Sequence, residues 1–137
     1  MTVSVELRTI AALDGEKDEA FEKGEGELKL CDDGYEVCYY VEQEPGIRVP
    51  FILRKKNSSF YVKRDGIFSS AMTFSSGRRT KCRVRIPEGE LTMEVRTSML
   101  EFEQTGDDRK VSIAYELFCE EEIISEYNVT VTIKKIG

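Results

Sequence analysis

Chemistry needs a base, a nucleophile or a ligand set, and this chain of 137 residues offers little of any. It contains no histidine, the side chain that titrates near neutral pH and most often binds transition metals, so zinc sites and Ser-His-Asp hydrolysis are excluded. Four cysteines, Cys31, Cys38, Cys82 and Cys119, follow no metal-ligand or redox spacing. If Asp33-Gly34 closes a two-residue turn, Cys31 faces Glu36 and lies diagonal to Cys38, a Cα separation of roughly 7 Å that strains a disulfide. Reduced thiols are therefore expected. Carboxylates cluster at Glu25/Glu27, Asp32/Asp33, Asp107/Asp108 and Glu120 to Glu122, all on turns or outward positions where solvated charge is their ordinary role. TGDDRK lacks the ligand spacing of a calcium loop. The expectation is a non-enzyme with no metal and no cofactor.

Two groups of residues could bind without reacting. The first is basic: Arg79, Lys81, Arg83 and Arg85 alternate along one strand, with Arg54 to Lys56, Lys63 and Arg64 upstream and Phe60, Tyr61 and Phe68 nearby. Backbone phosphates favour such a track, and exposed aromatics would stack bases, so the basic face of residues 48–85 is a candidate for RNA or an acidic partner. Against nucleic acid stand the net charge of −6 and the pI near 4.9, because the segments on either side are acidic and would repel a polyanion. The second group is apolar with polar tips: Tyr39, Met72, Met93, Tyr115 and Tyr127, joined by Tyr35, Phe74 and Met99. Adaptable thioethers and phenols suit a pocket for a small, partly apolar ligand, and the same residues also make a sound core.

Either group needs strands to position it, and strands dominate the pattern. Leu91, Met93, Val95, Thr97 and Met99 alternate on one face; Val111, Ile113, Tyr115 and Leu117 on the next; Tyr127, Val129, Val131 and Ile133 on the last. A period of two is a strand that buries one face. Earlier runs at Val3 to Leu7, 19–31, Tyr35 to Val41, Ile47 to Leu53, 60–74 and Thr80 to Ile86 read the same way. Asp65-Gly66 suits a two-residue type I′ hairpin. A loop at Glu88-Gly89 sets Arg83 opposite Glu94 and Arg85 opposite Thr92. In the second run the inward register places Gly24 and Gly26 inside, implying a bulge, a bend or a close approach of backbone. Pro50 cannot donate to a ladder and marks a bulge or partial edge. After Met99 the inward parity switches to Leu100 and Phe102.

About ten strands in hairpin order with short loops predict an all-β fold: a closed antiparallel up-and-down β-barrel over residues 1–137, with a β-sandwich as the alternative. The stretch RDGIFSSAMTFSSG, followed by PEGELTMEVRTSMLEFEQTGDDRKVSIAYELF, resembles the YwiB-like family of small bacterial calycin-type, lipocalin-like β-barrels. The matching positions are Arg64, Gly66, Phe74, Gly77, Gly89, Leu91, Thr97, Ile113, Tyr115 and Leu117, with NVTVTI as the closing strand. One departure is plain: where such proteins carry a Tyr and a Thr before the Gly of the last long hairpin, Val84 and Ile86 stand here. The resemblance implies the barrel and supplies no catalytic or ligand residues. The absence of a signal-peptide pattern, of a long apolar stretch and of the Gly-x-Trp start of exported lipocalins leads to the expectation of a cytoplasmic protein without a membrane partner.

Overall fold

Alternation becomes structure almost without interruption in the computed structural model, which describes residues 1–66 and 69–136. Among the described residues the elements are β1 (Thr2–Leu13), β2 (Glu16–Cys31), β3 (Gly34–Glu44), β4 (Ile47–Lys56), β5 (Ser59–Arg64), β6 (Ser69–Ser75), β7 (Arg79–Ile86), β8 (Gly89–Thr105), β9 (Asp108–Cys119) and β10 (Glu122–Lys135). Each pairs antiparallel with its sequence neighbours, and β1 pairs with β10 from Val3 opposite Lys135 to Ala12 opposite Glu126. That last ladder satisfies the edge groups of the first and final strands and closes the barrel. The sandwich alternative is thereby set aside.

Register follows the hydrophobic pattern where the pattern is strong and departs from it at turns. Tyr115 pairs with Tyr127 and Ile113 with Val129, as alternation requires. The parity switch in β8 is a bulge between Thr97 and Met99, with Ser98 Oγ donating to the Ala114 carbonyl at 3.1 Å. Leu100 and Phe102 then face Ile113 and Val111, while Met99, expected inside, sits opposite Ala114 on the outer register. Asp65-Gly66 is not a two-residue turn: Arg64 pairs with Ser70, so the connection is longer, and this register puts Phe60 opposite Phe74 and Val62 opposite Met72. Inward burial of aromatics outweighs turn preference there. Similarly, Pro87-Glu88 forms the next loop, so Lys81 faces Glu94, Arg83 faces Thr92 and Arg85 faces Glu90.

Pro50 behaves as expected. A strand residue points its N–H and C=O at the same neighbour, and the Pro50 carbonyl accepts from Asp65 N at 3.1 Å. The missing donor thus falls just beyond Phe51 opposite Arg64, where the β4–β5 ladder ends. The interior glycines answer to packing. A Cβ on Gly24 would overlap the Tyr40 carbonyl oxygen, and one on Gly26 the Cys38 carbonyl oxygen. Their absence lets β3 lie against β2 with the Tyr39 side chain over both. Pairing of β2 with β3 runs only from Glu25 opposite Tyr40 to Cys31 opposite Gly34, so residues 16–24 take their ladder pairing, among the described residues, from β1 alone.

The two ends of the barrel differ. The base carries the termini and the β2–β3, β4–β5, β6–β7 and β8–β9 connections, and its inward Val3, Leu53, Phe60, Val111 and Ile133 are fully buried. The mouth carries the other connections. There Thr9, Ala11, Glu22, Arg64, Ser70, Met72, Val84, Met93 and Tyr127 occupy inward positions yet are only half-buried, and Leu91 is 42% exposed. Among the described residues no helix is long and apolar enough to cross a membrane.

Candidate functional site

Inward side chains of the upper barrel form two aromatic groups on opposite walls. On the β3–β4 wall, Tyr39 stacks on Phe51 with centroids 5.1 Å apart, and the Arg64 guanidinium lies 5.4 Å from the Phe51 centroid. Cation, ring and phenol form successive layers, a favourable arrangement for Arg. The Tyr39 hydroxyl is buried and, among the described residues, has no hydrogen-bond partner. Burial pushes its pKa upward, the nearby Glu22 carboxylate adds to the rise, and Arg64 opposes it. Glu22 faces inward opposite Leu7.

On the β9–β10 wall, Tyr115 stacks on Tyr127 at 4.9 Å and tilts against Phe74 at 4.8 Å. Met93 lies opposite Cys82 and Met72 opposite Val62, both packed on the core. Burial raises the pKa of Tyr115 and of the Cys82 thiol. At neutral pH these phenols are protonated donors, and Cys82 is a thiol with little nucleophilic character. Such a site can grip and orient a molecule, using rings and thioethers for apolar surface and Tyr39, Arg64 and Glu22 for a polar end.

All five interior residues expected from the sequence therefore face the lumen, with Tyr39 and Tyr115 buried and Met72, Met93 and Tyr127 half-buried. Glu22 escaped the sequence reading, and Arg64, assigned there to the basic face, turns inward. Continuing the register of Leu28, Gly26 and Gly24 by one step reaches Glu22, and correct pairing of β5 with β6 reaches Arg64.

The basic stripe stands on the outer wall, with Arg79, Lys81, Arg83 and Arg85 exposed. Arg79 pairs with Glu94 at 3.5 Å and lies over the Phe118 ring at 5.2 Å; Arg83 reaches Glu90 at 3.7 Å. Arg83, Arg85 and Lys63 share a shallow cleft of about 270 Å³ with Asp65 and Glu90, so charge there is mixed. Of the aromatics expected to stack bases, Phe60 is fully buried in the core and Tyr61 has Arg54 over its ring at 5.5 Å; Phe68 lies outside the described residues. Cys31 pairs with Gly34, not Glu36, and Cys38 pairs with Glu27. The turn is Asp32-Asp33, the two thiols are four strand positions apart, and the cysteines are free.

Comparison with solved structures finds the crystal structure of the YwiB protein from Bacillus subtilis, with a TM-score of 0.83 over 99% of this chain and 92% of that one at 18% identity. The shared barrel bears out the YwiB-like resemblance. No curated protein matches the chain. The family described as "Domain of unknown function (DUF1934)" matches residues 5–131.

Proposed function

The chain belongs to the DUF1934 family, whose description leaves the function open, and from its site we propose that it is a non-enzymatic binding protein. It takes a small, partly apolar molecule into the mouth of the barrel. The carrying observation is the buried Tyr39 hydroxyl, unpartnered among the described residues, beside the inward Glu22 and the Arg64–Phe51 stack. A buried hydroxyl without a partner costs stability, and a ligand oxygen or nitrogen would supply the missing bond. Tyr115, Tyr127, Met72 and Met93 supply the apolar wall. The lack of histidine and the upward-shifted pKa values of the phenols and Cys82 support binding over catalysis. Four free cysteines support a reducing, cytoplasmic setting.

The probe is 1-anilinonaphthalene-8-sulfonate, an aromatic anion of suitable size, followed by its fluorescence on folded protein. Saturable binding is expected, weakened about tenfold by Arg64→Met or Tyr39→Phe and abolished by Met93→Trp, with each variant checked for an unchanged strand spectrum. Binding indifferent to all three substitutions, or none at all, sinks the reading.

A further inference from the structure

The base of the barrel holds two cations turned inward. Arg109 opens β9 on the parity of Val111 and Ile113 and is only 7% exposed. Its guanidinium crosses from β9 to the Tyr35 ring on β3, 5.1 Å from the centroid. Lys55 crosses the opposite way, from β4 toward β8, with Nζ 4.7 Å from the Phe102 centroid. Pairing ties the two crossings together: Tyr35 is the β3 partner of Lys55, and Phe102 faces Val111, two residues from Arg109. Phe60, the β5 partner of Lys55, meets Phe102 edge-on at 6.2 Å. The result is an aromatic floor with two cations laid across it.

Both cations are short of acceptors. A guanidinium has five N–H donors; in Arg109, Nη1 donates to the Asp107 carbonyl at 3.0 Å, and Nε is buried with no partner among the described residues. Lys55 Nζ donates to the Asn57 carbonyl at 2.7 Å. Among the described residues neither forms an ion pair. The carboxylates of the adjacent hairpin are engaged elsewhere: Asp107 with Lys135 at 3.6 Å, Glu103 with Lys110 at 3.9 Å, and Asp108 accepting from the Lys135 backbone N–H at 3.3 Å. Ring faces offset only part of the cost of desolvating two like charges. Arg109 also lines an open depression together with Glu103, Gln104, Thr105, Asp108 and Lys110.

We propose that the base is an anion site, in which an oxyanion, carried as a phosphate or carboxylate group, seats between Arg109 and Lys55 above the floor of Tyr35, Phe60 and Phe102. Arg109 offers charge-assisted donors already fixed by packing, and Lys55 adds a second charge with rotatable donors. This site is at the opposite end from the mouth and stands independently of it.

The test is thermal unfolding of the full chain in inorganic phosphate, sodium acetate or sodium chloride at equal ionic strength, with ³¹P line broadening of phosphate as the direct readout. At about twenty times the dissociation constant, phosphate should raise Tm by about 5 °C or more over chloride; a rise in acetate alone assigns the site to carboxylates. Arg109→Met should remove the rise and the broadening, Lys55→Met should reduce both at least threefold, and Arg48→Met on the outer wall should leave them unchanged. If Arg109→Met does not fold, Lys55→Met decides. Equal Tm in all three salts, or a phosphate effect that survives the Arg109 and Lys55 substitutions, overturns the site.

Discussion

Base and mouth are made by the same strands with the same alternation, yet one end is a core and the other is half open. At the base the inward register holds Val3, Leu53, Phe60, Val111 and Ile133, all fully buried, and β2 is paired on both sides. At the mouth the same register runs on to Glu22, Arg64, Ser70 and Met93, which stay half-buried, while β2 has lost β3 as a partner. Closing a barrel satisfies its edges, but it does not by itself fill the inside. What fills it is the volume and polarity of the side chain delivered at each level. The charged pairs follow the same division: at the base two cations each lie over a separate aromatic ring, and at the mouth a cation and a carboxylate flank one phenol.

Truncation should separate the ends most sharply. Phe60→Ala removes a fully buried ring and should cost about 4 kcal/mol in denaturant unfolding, whereas Met93→Ala at the half-buried mouth should cost about 1 kcal/mol. Equal losses would erase the distinction between core and opening. Alkali should act next. Burial pushes the Tyr35 phenol up to about 12, with Arg109 opposing, so the folded state holds this proton more tightly than the unfolded chain. Stability from Tyr35 is intact below pH 10 and falls as pH rises toward 12, by about 2 kcal/mol at that point. Tyr35→Phe should remove that share of the slope, as measured by unfolding at stepped pH. A comparable effect lies at the transition between the halves, where Gly26→Ala forces a methyl group onto the Cys38 carbonyl. A loss of about 2 kcal/mol is expected by thermal unfolding, and a neutral outcome would show that β2 and β3 can part without cost.

The barrel was legible because alternation is a local signal. The alternate residues from Val111 to Leu117 of β9 and from Tyr127 to Ile133 of β10 can be placed on the inward face from parity alone, and even the switch after Met99 shows as a broken period, although only the bulge at Ser98 reveals that Met99 itself turns outward. Turn chemistry was a weaker guide. Asp65-Gly66 and Glu88-Gly89 both suggested loops that burial of Phe60, Phe74, Cys82 and Met93 shifted to other positions. Of the candidate site, the tyrosines and methionines were visible as inward residues, but Glu22 and Arg64 were hidden because a charged side chain reads as solvent-facing until its strand register is known. Arg109 was hidden for the same reason, though its spacing from Val111 placed it inside.

Taken alone, the sequence determined that this protein is an antiparallel meander of about ten strands with defined inner and outer faces, since a two-residue period and short loops depend only on neighbours along the chain; the pairing of β1 with β10 closed it. Three-dimensional packing decided what the inside contains at each height. Which charges are drawn inward, and whether β3 crosses close over β2 at Gly24 and Gly26, depends on contacts between residues far apart in sequence. Those contacts exist only once the ring of strands has closed.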